Sequence, residues 1–102
     1  AAERLLQRAL ANVERAFGGA HPEMANVLEQ HGGLLELSGR HEKAANAYEQ
    51  ALAIRERTLG ARHPQVAQAL EGLAIALRGL GRRAEAARAE ERARSIRSER
   101  RL

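Results

Sequence analysis

The stretch L-G-A-R-H-P-Q-V-A-Q-A-L at residues 59–70 closely repeats an earlier one, F-G-G-A-H-P-E-M-A-N-V-L at residues 17–28. When the chain is compared with itself at this offset of 42 residues, roughly a third of the aligned positions hold identical residues, and the identities extend over the whole chain. A fixed period of this kind is the signature of a repeat protein, in which each unit packs against the next. The sequence therefore predicts two successive 42-residue units that follow part of an earlier one.

Each unit contains the signals of two helices joined by short turns. Pro22 and Pro64 suit the first turn of a helix, where a missing N–H costs nothing, so that His21 and His63 fall at the N-cap. A glycine, the residue that most readily adopts the positive φ of a helix C-terminus, follows each of these helices. The predicted helices span residues 2–17, 22–38, 41–59, 64–79 and 83–100. Because the connections are short, we expect neighbouring helices to run antiparallel.

The composition limits the classes of protein to which the chain can belong. A length of 102 residues fits one small domain, and its apolar residues are mostly alanine and leucine, which favour helices. The chain has no cysteine, which excludes disulfides and cysteine-bound metals; this fits a reducing compartment, and we predict a cytoplasmic location. No apolar run approaches the ~18 residues that a membrane-spanning helix needs, and we predict no membrane association.

The net charge of +4 is concentrated in the last predicted helix. Residues 81–102 contain eight arginines and four glutamates, whereas basic and acidic residues are equal in number over residues 1–80. A basic helix can contact phosphates, but here glutamates interrupt it and no aromatic residue is available to stack on bases. We therefore predict a solvated, charged face and no nucleic-acid partner.

The sequence carries no recognisable arrangement for catalysis or metal binding. No two of the four histidines have the i,i+4 spacing of a helical metal site, and the chain contains no aspartate. The few serines and the single threonine lie outside any nucleophile motif, and the phosphate-binding pattern G-x-x-x-x-G-K-[ST] is absent. We accordingly predict no enzymatic activity, no cofactor and no metal.

Along each unit, large and small apolar residues follow a fixed order around a glycine turn. In the earlier copy they are Leu28, Gly32, Leu35, Gly39, Ala44, Tyr48 and Ala51. In the later copy they are Leu70, Leu73, Ala74, Leu77, Gly81, Ala86 and Ala93. In this order and spacing the chain resembles a tetratricopeptide repeat protein. Its period of 42 residues, in place of the usual 34 or so, and its L-G-x-x-H-P joint make it similar to the kinesin light chain subtype of that family.

The resemblance implies an all-α fold, an α-solenoid in which about five helices form antiparallel pairs and a right-handed superhelix. The corresponding divisions are residues 1–18, the second helix of a partial repeat, residues 19–60, a full repeat, and residues 61–102, another full repeat. In the last helix Glu90 replaces the tyrosine and Arg94 the leucine found one period earlier, which predicts a polar capping helix at the C-terminal end of a longer array. We also expect Glu90 and Arg94 to pair, because they are four residues apart on a helix.

In the family that the chain resembles, the first helix of each repeat lines a concave surface that binds a peptide or a segment of a partner protein. The resemblance therefore implies a non-catalytic protein-interaction scaffold. The candidate groove residues are Asn26, Glu29, Gln30, Gly33 and Glu36 in the earlier repeat, and Gln68, Glu71, Ile75 and Arg78 in the later one. Because three of them are glutamates, we expect a basic or mixed-charge partner segment.

Two other functions remain open from the sequence. One is self-association into a homo-oligomer, because the first predicted helix would present an apolar face to a second copy of the chain. The residues of that face are Leu5, Leu6, Leu10, Val13 and Phe17. The other is regulation, with the repeats forming the sensor tail of a larger multidomain protein, since repeats of the subtype that the chain resembles are often fused to other domains.

Overall fold

The computed structural model describes residues 4, 5, 8, 11, 12 and 22–100, and over residues 22–100 it shows four helices and no strand. The helices are α1 (Pro22–Leu37), α2 (His41–Leu59), α3 (Pro64–Gly79) and α4 (Arg83–Arg100). These bounds agree with the sequence-based ones, except that α1 ends one residue earlier. The helix predicted at 2–17 lies mostly outside the described residues, so the count of five helices and the superhelix stay predictions. None of α1–α4 is long and apolar enough to cross a membrane.

Local signals in the sequence set where α1 and α3 begin and end. The His63 Nδ1 atom accepts a 3.1 Å hydrogen bond from the backbone N–H two residues later, which confirms His63 as the N-cap of α3. His21, the predicted N-cap of α1, lies outside the described residues. After α1, Gly39 adopts a φ of 77°, and the N–H of Arg40 donates to the Leu35 carbonyl at 2.8 Å. This turn satisfies a carbonyl that the end of the helix would otherwise leave without a partner.

Successive helices pack against one another, α1 on α2, α2 on α3 and α3 on α4, and α1 also touches α3. Because only three or four residues connect them, neighbouring helices run antiparallel and form two pairs, α1–α2 and α3–α4. The core is built largely from alanine and leucine. Its buried residues include Ala44, Ala47, Val66, Leu70, Leu73, Ala74, Leu77, Ala89 and Ile96. The many small side chains allow the helix backbones to approach closely, as the repeat pattern predicts.

The Tyr48 ring lies where α2 meets α1 and α3, and two glycines make room for it. A Cβ atom added at Gly32 would lie 2.9 Å from Tyr48 Cε2, and one added at Gly72 would lie 2.6 Å from Tyr48 Cζ. Both distances are well below the ~3.5 Å at which carbon atoms attract each other best. The ring therefore fits between the two helix pairs only because neither glycine carries a side chain.

The outer face of α4 is polar, but its ion pairs differ from the expected one. Arg94 Nη2 donates to Glu91 at 2.7 Å, three residues away, while Glu90 accepts a hydrogen bond from Arg78 of α3. The predicted pairing of Glu90 with Arg94 is therefore wrong. The reason is that an arginine of the adjacent helix lies within reach of Glu90, and Arg94 has a second carboxylate on its own helix.

Candidate functional site

An open cleft of about 420 Å³ lies where α1 and α3 meet, above the Tyr48 ring. Its lining residues are mostly polar: Glu23, Asn26, Glu29 and Gln30 of α1, Tyr48 of α2, and Gln68 and Gly72 of α3. We call it the α1–α3 cleft. Because its walls come mainly from α1 and α3, which belong to different helix pairs, its shape depends on how the two pairs pack.

Behind the lining of the cleft lies a buried arginine, Arg55 of α2, which is only 3% exposed. Its guanidinium donates to both carboxylate oxygens of Glu29, from Nε at 3.1 Å and from Nη2 at 2.9 Å. Nη2 also donates to Asn26 Oδ1 at 2.9 Å, and Nη1 donates to Gln65 Oε1. A buried charge is tolerated only when its polar groups are paired, and Arg55 finds its partners on α1 and α3. It therefore connects the two repeats at the back of the cleft.

Two lining residues have an altered pKa. Burial raises the pKa of Glu29 above its ordinary value, and the charge and hydrogen bonds of Arg55 offset only part of that rise. Burial also raises the pKa of the Tyr48 hydroxyl, and the negative charges of Glu29 and Glu36 raise it further.

We expect the raised pKa of Glu29 to appear in the pH dependence of stability. The folded protein holds the proton of Glu29 more tightly than the unfolded chain does. Its contribution to the free energy of unfolding is therefore greatest below the ordinary pKa of 4.5 and is lost as the pH rises through the raised value. A Glu29→Gln variant lacks this titration. Urea denaturation across this pH window should show the parent losing stability relative to the variant as the pH rises. A difference that does not change with pH would contradict the effect of burial on Glu29.

The same ion pair occurs again 42 residues later, without the burial. Glu71 and Arg97 hold the positions of Glu29 and Arg55 in the second repeat, and Arg97 donates to both carboxylate oxygens at 2.8 Å. The side chains of Glu71 and Arg97 are 47% and 46% exposed, whereas those of Glu29 and Arg55 are 12% and 4% exposed. The difference arises because α3 covers the first pair, while no helix in the described part of the chain covers the second.

Four of the nine predicted groove residues line the α1–α3 cleft, namely Asn26, Glu29, Gln30 and Gln68. Gly33 lies beside it, since an added Cβ atom there would be 3.7 Å from the Tyr48 hydroxyl. The structure thus brings five of the predicted residues to one place on the surface.

The other four predicted residues do not line this cleft. Glu36 Oε1 lies 2.9 Å from a histidine nitrogen of α2, and Ile75 is 53% exposed. Glu71 and Arg78 are both paired with residues of α4. All three glutamates expected to attract a basic partner therefore already have a partner within the chain, since Glu29 is paired with Arg55. That the nine residues contact a partner protein stays a prediction.

The groove predicted from the sequence omits three residues that line the cleft, Glu23, Tyr48 and Gly72. It also omits Arg55, which lies behind them. Tyr48 appears in the repeat pattern only as a packing residue. The signal for Arg55 is nevertheless present in the sequence. Glu29 and Arg55 both recur after one period, with the same separation of 26 residues in each copy. An acidic and a basic residue that recur together on the two helices of a repeat indicate an ion pair between those helices.

The described residues include no cluster of histidine and acidic side chains that could hold a metal ion.

The apolar face proposed for self-association lies mostly outside the part of the chain that the structure describes. Of its five residues, Leu6, Leu10, Val13 and Phe17 lie outside the described residues, and Leu5 is exposed. Self-association therefore stays a prediction.

Comparison with protein families adds independent support for the repeat pattern. The family model described as tetratricopeptide repeat matches the chain twice, at residues 1–57 and at residues 48–99. No curated protein matches the chain significantly. Repeats of this family generally mediate protein–protein interaction, and they typically act as non-catalytic scaffolds. From the repeated sequence pattern, the paired helices and both family matches, we conclude that the chain belongs to the tetratricopeptide repeat family.

Proposed function

We propose that the chain is a non-catalytic scaffold that binds a peptide or a segment of a partner protein in the α1–α3 cleft. One observation carries this proposal. The first helices of two successive repeats bury most of their apolar residues in the core and hold a polar cleft between them, in which Asn26, Gln30 and Gln68 are exposed. The general role of the family supplies the class of partner, since its members bind proteins.

The geometry of the cleft supports binding without a large rearrangement. The Tyr48 ring is packed between two glycines, and Arg55 holds Asn26 and Glu29 in place from behind. When a binding surface must become ordered on binding, part of the binding free energy is lost. A surface that is already formed therefore binds a flexible segment with a smaller loss of affinity. Gln30 makes no hydrogen bond within the described part of the chain, and its amide is therefore available to a ligand.

Finer features of the function remain part of the proposal. The 42-residue period and the L-G-x-x-H-P joint support a kinesin light chain-like subtype, and a cytoplasmic location stays a prediction from the sequence. Self-association and a role as the sensor tail of a larger protein are the alternatives. Both place the functional surface outside the α1–α3 cleft or in another part of the protein, so variants of the cleft distinguish them from partner binding.

We expect a Gly33→Arg variant to lose partner binding while keeping its fold. The added Cβ atom makes an ordinary contact with the Tyr48 hydroxyl, and arginine favours a helix more than glycine does, but its long side chain would occupy the edge of the cleft. Immobilised chain is used to select peptides from a displayed random library. The affinity of a selected peptide is then measured for each variant by calorimetry, and we expect Gly33→Arg to weaken it about tenfold or more.

Gln50→Arg is the matched control, because it adds the same side chain at an exposed position of α2 that does not line the cleft. It should bind the selected peptide as the parent does and keep the melting temperature of the parent. Gly33→Arg should keep the helicity of the parent and melt at the same temperature or somewhat higher, because arginine favours a helix more than glycine does. Unchanged affinity in Gly33→Arg would refute binding at the cleft, whereas equal losses in both variants would indicate a nonspecific effect of the added charge.

A further inference from the structure

We infer that the Tyr48 hydroxyl donates a hydrogen bond to an amide carbonyl of the segment bound in the α1–α3 cleft. This inference rests on the proposed function and adds the contact and the ligand group that makes it. Tyr48 is the single tyrosine of the chain. The repeat pattern accounts for its ring, which packs between helices, and gives no role to its hydroxyl.

The packing of the ring places the hydroxyl at the cleft. A Cβ atom added at Gly32 would lie 2.9 Å from Tyr48 Cε2, and one added at Gly72 would come closest to Cε1, so the two edges of the ring face α1 and α3. At Gly33 an added Cβ atom would be 3.7 Å from the hydroxyl oxygen. The ring is therefore held from both edges, and the absence of a side chain at Gly33 leaves the hydroxyl open to a ligand in the cleft that Tyr48 lines.

The hydroxyl proton is not used within the described part of the chain, where Tyr48 makes no side-chain hydrogen bond. Two carboxylates lie close enough to raise its pKa, but both have other partners. Both oxygens of Glu29 accept hydrogen bonds from Arg55, and Glu36 Oε1 lies 2.9 Å from a nitrogen of His41. The raised pKa keeps the proton on the Tyr48 oxygen at neutral pH, so the hydroxyl can donate to a ligand.

The surroundings of the hydroxyl favour a neutral acceptor over a charged one. None of the residues that line the cleft is basic, and the three side-chain nitrogens of Arg55 all donate to protein acceptors. A carboxylate of the ligand would therefore lose its hydration without meeting a free cation. A neutral carbonyl has less hydration to lose, and one hydrogen bond from the hydroxyl replaces part of it.

The second repeat does not offer the same contact. One period after Tyr48 stands Glu90, which accepts a hydrogen bond from Arg78, and one period after Gly33 stands Ile75. Within the described residues, a hydroxyl beside a glycine opening therefore occurs in this way only at the α1–α3 cleft. Glycines also allow a peptide main chain to approach closely, which suits an amide group as the acceptor.

Tyr48→Phe tests the contact, because it removes only the hydroxyl and keeps the ring between its glycines. The affinity of a peptide selected on the parent chain is measured by calorimetry for both chains. We expect Tyr48→Phe to weaken binding about fivefold, the effect of losing one hydrogen bond of ordinary net strength. The melting temperature should stay close to that of the parent, since the hydroxyl has no hydrogen bond to lose within the described part of the chain.

Ser98→Ala is the matched control, because it removes an exposed hydroxyl of α4 that lies outside the cleft. It should leave the affinity for the selected peptide unchanged. A Tyr48→Phe variant that binds the peptide as tightly as the parent does, or equal losses in the two variants, would overturn the inference.

Modified peptides identify the carbonyl that accepts the hydrogen bond. Each main-chain amide of the selected peptide is replaced in turn by an ester, whose carbonyl is a weaker acceptor, and each asparagine or glutamine by alanine. The change at the accepting carbonyl should weaken binding to the parent but add little to the loss in Tyr48→Phe. A main-chain position and a side-chain position would each support the inference and would tell the two sources apart. Losses that add to that of Tyr48→Phe at every position would overturn it.

The result also separates this inference from the function on which it rests. A peptide that loses binding in Gly33→Arg but not in Tyr48→Phe would overturn the hydroxyl contact and keep the cleft as the binding site. A peptide that binds Gly33→Arg as well as it binds the parent would instead refute the proposed function itself.

Discussion

Replacing Glu29 by alanine is expected to lower the free energy of unfolding by about 3 kcal/mol, because it removes the acceptors of two hydrogen bonds from the buried Arg55 guanidinium, and each buried polar group left unsatisfied costs ~1–3 kcal/mol. Arg55 keeps its hydrogen bonds to Asn26 and Gln65, which limits the loss. Urea denaturation of the purified chain, followed by circular dichroism, measures the change.

Glu71→Ala is the matched control, since it removes the same residue type from the same repeat position and from an equally bidentate pair. Because that pair is nearly half exposed, its loss should stay within ~1 kcal/mol. A second control combines Glu29→Leu with Arg55→Met, which leaves no buried charge and should recover most of the stability. Equal losses in Glu29→Ala and Glu71→Ala would contradict the difference in burial between the two pairs.

The second large effect is expected at Gly72, where alanine should lower the free energy of unfolding by about 2 kcal/mol. The new methyl group would overlap the Tyr48 ring, and overpacking of this kind typically costs ~1–3 kcal/mol. The higher helix propensity of alanine, at most about 1 kcal/mol, offsets part of the loss. Thermal and chemical denaturation of the variant measure the result.

Gly33→Ala provides the comparison, because position 33, like position 72, lies in the interior of a helix. Its added Cβ atom would make only an ordinary contact with the Tyr48 hydroxyl. It should therefore raise the free energy of unfolding by ~0.5–1 kcal/mol. In a Tyr48→Ala background the loss at Gly72 should disappear, since the ring that causes the overlap is absent. A destabilising Gly72→Ala in that background would show that something other than the ring fills the space.

The helices are the part of the fold that the sequence predicts best, because repetition presents each boundary signal twice. His63 with its proline begins α3, and Gly39 and Gly81 end the first helix of each repeat, as the pattern indicates. These signals act over a few residues of chain, so the tertiary structure is not needed to interpret them.

The cleft is harder to predict from the sequence, because its lining depends on which helix covers which side chain. Glu29 and Glu71 are identical in type and repeat position, yet only Glu29 lines the cleft and lies over a buried arginine. Gly72 has no glycine at the equivalent position of the earlier repeat, where Gln30 stands, so the period gives no reason to pair it with the Tyr48 ring. Contacts between repeats, rather than the pattern within one repeat, decide both features.

Photo-crosslinking of a selected peptide tests binding at the cleft most directly. Benzoylphenylalanine is placed at Gln30, which lines the cleft, or at Gln50, which is also exposed but lies on α2 outside it. We expect a covalent adduct with the peptide from the Gln30 position and none from the Gln50 position, with the peptide side of the adduct identified by mass spectrometry. An adduct from Gln50 alone, or equal adducts from both positions, would contradict partner binding in the α1–α3 cleft.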